Sequence, residues 1–232
     1  MPRLSVRFVL LMQDDFSGAE LPGGSFRFLV DGKPFSPIRK PEGFCAFCGL
    51  EGESWIVLIE SPRYLPTVLR VEASGLPLGN PVRTVRLMRR GETRFPDCEL
   101  LEGSGPPGAL LYALCGNVPP LLLSEIREGR IFFQGYPVRP LVRLRFCVGS
   151  GANRELFVIT ARDADGGCQI DRHLRFRHER GEPVLRAYGA VCGLSGRFAI
   201  PVGIGMKDTL KTIETYDKEV EQWGCLLQTA PN

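Results

Sequence analysis

The chain has 232 residues, room for one large β domain or two domains of about 100 residues each. It is 44% hydrophobic and 24% charged, with 27 Gly and 19 Pro, which excludes a disordered chain, a collagen-like repeat and a coiled coil. Lys+Arg 29 against Asp+Glu 26 leave a formal charge of +3, too small an excess for a dedicated nucleic-acid binder.

Residues 4–12 read as a first strand rather than a signal peptide. The apolar run is short, Arg7 interrupts it, and Gln13-Asp14-Asp15 follows where a small-residue cleavage site belongs. No stretch approaches the roughly 20 apolar residues of a membrane span. A cytoplasmic protein is therefore expected. Strand-like segments follow at 25–30, 44–50, 54–60, 67–72, 82–87 and 99–101, most bounded by Gly or Pro. Asp31-Gly32 supplies the positive φ of a tight hairpin turn. Residues 43–60 are expected to form a hairpin at the heart of the first domain, with Trp55, Val57 and Ile59 alternating inward and Leu50 plugging its corner. Strands about ten residues apart with turns between them suggest a sandwich.

Two linker candidates occur, 74–81 and the Gly/Pro-rich hexamer 103–108. Placing the boundary near the second gives a first domain over 1–102 and a second over 109–205. The second half repeats the strand pattern at 109–115, 130–134, 141–148, 155–162, 169–177, 184–191 and 197–202. Over 206–224 the spacing changes: Leu210, Ile213, Tyr216 or Asp217, Val220 and Trp223 recur at helical intervals. Lys207, Lys211, Glu214, Lys218 and Glu221 largely fill the other face, and Gly224 sits where a C-cap glycine would. A β-hairpin competes, because Thr209, Thr212 and Thr215 lower helix propensity. The expected fold class is all-β: two tandem β-sandwich-like domains with a C-terminal amphipathic helix.

Residues 4–72 resemble the carboxypeptidase regulatory-like domain, a transthyretin-like β-sandwich. The resemblance is carried by the stretch from Asp15 to Phe26, by Gly43-Phe44-Cys45-Ala46-Phe47-Cys48-Gly49-Leu50-Glu51-Gly52 running into Trp55-Ile56-Val57-Leu58-Ile59, and by Arg63-Tyr64. Two departures are the family's Gly-Tyr, here Arg63-Tyr64, and its usual Tyr, here Trp55. The resemblance implies an accessory module without catalytic residues of its own. Asp163-Ala164-Asp165-Gly166 is similar to a hairpin of the same family, without a clear corner downstream.

Cys45-x-x-Cys48 is the sharpest local motif among eight scattered cysteines. Structural zinc needs a second pair or histidines at ligand spacing, and neither follows. In a strand, residues three apart face opposite sides, so the two sulfurs cannot chelate one ion. Packing cysteine is the expectation, with a thiol or metal role as the alternative. Asp163-Ala164-Asp165-Gly166-Gly167 fails as a calcium loop, since Gly167 and Leu174 occupy ligand positions, and is expected to be a turn.

Residues 172–180 are the most basic stretch: as a strand they set His173, Arg175 and Arg177 on one face and Leu174, Phe176 and His178 on the other. Basic residues are 24 Arg and 5 Lys, a bias suited to bidentate contacts with carboxylates. A solvated face, a protein interface and, least of the three, nucleic acid remain open. Neither a nucleophile elbow, nor a phosphate loop, nor a dinucleotide fingerprint, nor a His-Glu-x-x-His helix is present.

The expectation is a non-catalytic protein without cofactor or metal that bridges or anchors other proteins. Arg175, Arg177, Leu210, Ile213, Val220 and Trp223 are its partner-binding candidates. An accessory component of a phage-tail-like contractile injection particle is one such role, by fold-level analogy. The alternatives are a carbohydrate-binding module using Trp55, Trp223, Tyr64 or Tyr136, and a thiol or metal enzyme centred on Cys45 and Cys48.

Overall fold

The computed structural model describes residues 5–76, 81–135, 141–219 and 222–225. Among them the only helical pieces are three-residue 3-10 turns, and none is long and apolar enough to cross a membrane. The chain is all-β and divides into two units, Met1–Arg90 and Gly91–Asn232.

The first unit holds β1 (Val6–Asp14), β2 (Arg27–Val30), β3 (Lys33–Phe35), β4 (Ile38–Arg39), β5 (Phe44–Cys48), β6 (Ser54–Glu60), β7 (Thr67–Glu72) and β8 (Val82–Leu87). They form two four-stranded sheets, ordered β4-β5-β1-β8 and β3-β2-β6-β7. Among the described strands of this unit, only β1 with β8 is a parallel pair. Alternation along β6 buries Trp55, Val57 and Ile59 and leaves Ile56 outside, as a two-faced strand requires. Aromatic rings from both sheets meet in the core: Phe8 stacks on Phe47 at 4.5 Å and lies 5.3 Å from Trp55, while Phe28 meets Phe47 edge-on. Asp31 (φ 48°) and Gly32 (φ 77°) make the two-residue turn between β2 and β3, and the Asp31 carboxylate accepts the Ile56 N–H.

One expectation is corrected here. Residues 43–60 are not a hairpin, because β5 pairs with β1 and β4 while β6 pairs with β2 and β7. The connection crosses from one sheet to the other, which lets Phe47 and Trp55 point into the shared core from opposite sides; Leu50 there is half-buried. At the ends of β1 and β8, buried Arg89 donates through Nε and Nη2 to buried Asp14 Oδ2 at 2.9 and 2.6 Å and covers the Phe16 ring. Two buried charges are tolerated because each has its partner.

The second unit holds β9 (Cys98–Ser104), β10 (Leu110–Cys115), β11 (Leu123–Arg127), β12 (Arg130–Phe133), β13 (Arg145–Val148), β14 (Glu155–Arg162), β15 (Cys168–Ile170), β16 (Leu185–Val191), β17 (Arg197–Gly203), β18 (Leu210–Asp217) and β19 (Gln222–Cys225). Nine strands follow the order β11-β12-β15-β14-β13-β16-β10-β18-β19, and β17 pairs with β9 as a separate ribbon. β14 is the pivot. It pairs with β13 through 155–158, shifts register between Ile159 and Ala161, and continues against β15. Its first five residues are all buried. Phe157 and Ile159 join Leu123, Ile131, Phe146 and Val184 in an apolar cluster against which Leu174 also packs.

Three further expectations change. The unit division falls after Arg90, and Gly103 and Ser104 of the expected linker lie inside β9, paired with Phe198 and Arg197. The expected C-terminal helix over 206–224 is a hairpin of strands: β18 pairs with β10 on one side and β19 on the other. The β-branched Thr212, Ile213 and Thr215 fit a pleated surface, and the open side of β10 gives β18 a ladder that no isolated helix could match. Finally, the strand expected over 169–177 stops at Ile170. The Asp171 carboxylate accepts the Val158 N–H at 2.9 Å, and its own N–H donates to the Val158 carbonyl, so the ladder closes there.

Candidate functional site

Beyond Asp171 the chain runs to residue 182 without regular structure, yet it is fixed at several points. Glu155 opens β14 with its side chain only 5% exposed. Its carboxylate accepts the backbone N–H of Arg175 at 2.7 Å through Oε1 and that of Phe176 at 3.0 Å through Oε2. Oε2 also lies 3.0 Å from His178 Nε2, and His178 Nδ1 lies 3.1 Å from Glu182 Oε2. Glu182 in turn accepts the Glu179 N–H. The His178 side chain is 1% exposed. The ring thus bridges the two carboxylates, one at each nitrogen.

The sequence explains why this works. The two backbone N–H groups released from the ladder after Ile170 need an acceptor, and a buried carboxylate needs donors. Each answers the other. Leu174 seats the segment on the apolar cluster, and Gly149 (φ 91°) leaves the space beside His178: a Cβ there would lie 2.9 Å from the ring and 2.4 Å from the Asn153 carbonyl. Because backbone groups do the anchoring, the side chains of Arg172, His173, Arg175, Arg177 and Arg180 stay exposed, together with Phe176 at 38%.

Next to the segment is a groove of about 310 Å³ lined by Arg154, Glu155, Leu156, Asp171, Arg172, His173, Arg175 and Tyr216. Arg154 bonds Glu214 through Nη1, while its buried Nε has no hydrogen-bond partner among the described residues. The Arg154 carbonyl accepts the Trp223 indole N–H at 2.9 Å, and Trp223 packs on Tyr112 and Tyr216.

Of the partner-binding candidates, Arg175 and Arg177 lie on the pinned segment, both exposed. Leu210 is half-buried at the start of β18, Ile213 is buried in it, and Trp223 is half-buried and bonded within its own unit. They form no common helical stripe, since the described residues there are strands and turns. Val220 lies outside the described residues. Glu155, Glu182 and Arg154 were missed, because acidic and basic residues this far apart in sequence carry no local signal of convergence.

The carbohydrate reading loses its first anchors. Trp55 is 2% exposed with its indole N–H given to the Glu51 carbonyl, and Tyr64 is buried; Tyr136 lies outside the described residues. Cys45 is buried and Cys48 half-buried on β5, with Cys45 pushed up by burial against the lowering effect of Arg39. Burial likewise pushes Cys115 and Cys147 up to about 12. In the Asp163–Gly167 turn the Arg130 guanidinium contacts Asp163, Asp165 and Glu128, filling the place between these carboxylates. Among the described residues no three His, Cys, Asp or Glu side chains are arranged to hold a metal ion. Around His178 the two carboxylates flank opposite ring nitrogens instead of converging.

Comparison with protein-family models, with characterised proteins and with solved structures finds no match, so the functional reading rests on the residues themselves.

Proposed function

We propose that this chain is a non-catalytic interaction protein that bridges or anchors partner proteins, and that residues 171–182 are its principal contact element. One observation carries the reading: a segment without regular structure, bearing Arg172, Arg175, Arg177 and Arg180, is held by a buried carboxylate through its backbone N–H groups. Holding a surface segment this firmly is costly in buried charge, and it has an obvious use. Ordered beforehand, the segment loses little conformational entropy on docking. Arginine forks held in place suit bidentate recognition.

In this reading the first unit is an accessory β-sandwich of the carboxypeptidase regulatory-like kind, and the chain works as a component of a larger assembly. A phage-tail-like contractile injection particle is the type of assembly proposed. Gene neighbours encoding sheath, tube or baseplate proteins support that choice, and neighbours dedicated to glycan processing favour a carbohydrate module instead. The direct test isolates the native assembly from source cells carrying either the wild type or a variant with Arg172, Arg175, Arg177 and Arg180 all changed to Ser. The wild type is expected to sediment with a defined protein complex and the folded variant to sediment alone. Two equal sedimentation profiles count against the reading.

A further inference from the structure

We infer that the pinned segment docks an acidic, partly apolar stretch of a protein partner, with one partner carboxylate entering the groove beside Arg154. The inference rests on the interaction reading above and adds the partner's chemistry. Residues 171–182 carry four guanidinium groups and three carboxylates, of which Asp171 and Glu182 are engaged within the chain by the Val158 N–H, the Glu179 N–H and His178. Anchoring of the segment uses main-chain N–H groups and leaves all four arginine side chains exposed, Arg172 lying near Asp171 at 3.8 Å and Arg175 near Glu155 at 3.9 Å. Carboxylates match such forks in geometry and charge.

Phe176 sits exposed between Arg175 and Arg177, and Leu156 and Tyr216 line the groove beside them. Apolar surface set among cations fits a partner whose acidic residues alternate with apolar ones. Arg154 adds an independent sign. Its Nε is buried without an acceptor among the described residues, in a side chain that lines the groove, and a buried donor left unmade is costly. A carboxylate oxygen in the groove supplies that acceptor.

The same groove disfavours a nucleic acid. Glu155 and Asp171 line it, and Glu214 holds Arg154. These negative charges repel a continuous phosphate chain, which carries one charge per nucleotide, more than a single carboxylate set against Arg154. The whole-chain charge of +3 adds little long-range attraction for a polyanion.

Fluorescence anisotropy with the intact protein tests this. The probe is a fluorescein-labelled peptide alternating glutamate with leucine; controls are the lysine-for-glutamate peptide and labelled single- and double-stranded DNA. The glutamate peptide is expected to bind and the lysine peptide to fail. Arg175→Glu with Arg177→Glu is expected to weaken binding at least about tenfold, the scale for reversing charges at a polar contact. Arg177→Ser with Arg180→Ser keeps the groove lining intact and should weaken binding as well. Circular dichroism and a melting curve establish that each variant is folded. The inference is overturned if the glutamate peptide does not bind, if either double variant binds it equally well, or if DNA binds more tightly. Failure here, alongside a wild type that sediments with a protein complex and a four-arginine variant that does not, removes the acidic chemistry and leaves the interaction reading standing. Equal sedimentation of the two removes both.

Discussion

Replacing Glu155 with Gln tests whether residues 171–182 are held as described. The substitution keeps shape and removes charge. Two main-chain N–H groups, at 2.7 and 3.0 Å, and the His178 ring at 3.0 Å converge on this carboxylate. A hydrogen bond to a charged acceptor contributes roughly 1.5–3 kcal/mol. Gln retains one carbonyl oxygen, which in place of Oε2 keeps the weaker, uncharged form of two of those bonds, while its amide turns a donor toward the Arg175 N–H. The expected cost is about 2–4 kcal/mol, below the full penalty of stripping one partner from a buried charge pair. For a unit of this size that corresponds to a fall of about 5–15 °C in melting temperature. Scanning calorimetry reads the global effect, and amide hydrogen exchange at Arg175 and Phe176 reads the local one. Both should change, with exchange at these two amides accelerating more than at β10. An unchanged melting temperature with unchanged exchange at 175 and 176 would refute the pinning.

Trp55→Ala removes a buried indole from the first core and should cost about 3–5 kcal/mol; a melting temperature equal to the wild type's contradicts the sandwich core. Truncation after Val202 deletes β18 and β19 and strips β10 of one of its two partners, so the second unit is expected to lose its unfolding transition; a shortened protein that melts like the parent would show β18 to be dispensable. Cys115 and Cys147, pushed up to about 12 by burial, should resist alkylation of the native protein at pH 8 and react only after denaturation, as peptide mapping can show. The same shift has a sign for stability. Folded thiols keep protons that unfolded ones lose, so stability is full below about pH 9 and falls as pH rises toward 12, by roughly 1.4 kcal/mol per unit for each thiol; a urea midpoint that rises over this range would contradict it.

Strands whose apolar alternation and turn residues agree were legible from the chain: 54–60, 67–72, 82–87 and 155–162 have the bounds expected, and Asp31-Gly32 makes the turn its dipeptide demands. Pairing was less legible. Nothing local tells that residues 49–53 cross between sheets, because a corner and a hairpin use the same Gly signals, and only the core decides. The C-terminal segment shows the weakness of a periodicity read from few positions. Leu210, Ile213 and Trp223 fit a helical wheel, yet the threonines between them and the open side of β10 prevail. At the site, exposed arginines were visible as a basic run, and Arg175 and Arg177 were picked out by it. Their support was not. Glu155 stands 20 and 21 residues from the amides it accepts, and Asp171 ends the ladder by a side-chain bond that no alternation pattern encodes.

The most direct measurement of the central claim is photo-cross-linking in source cells from a benzophenone amino acid placed at Arg177, with the exposed Leu194 as the control position. A single protein adduct from position 177, absent from 194 and lost when Glu155→Gln is added, is the predicted result. No protein adduct from 177, or the same adducts from both positions, would contradict the claim that the pinned arginine segment is where this protein meets its partner.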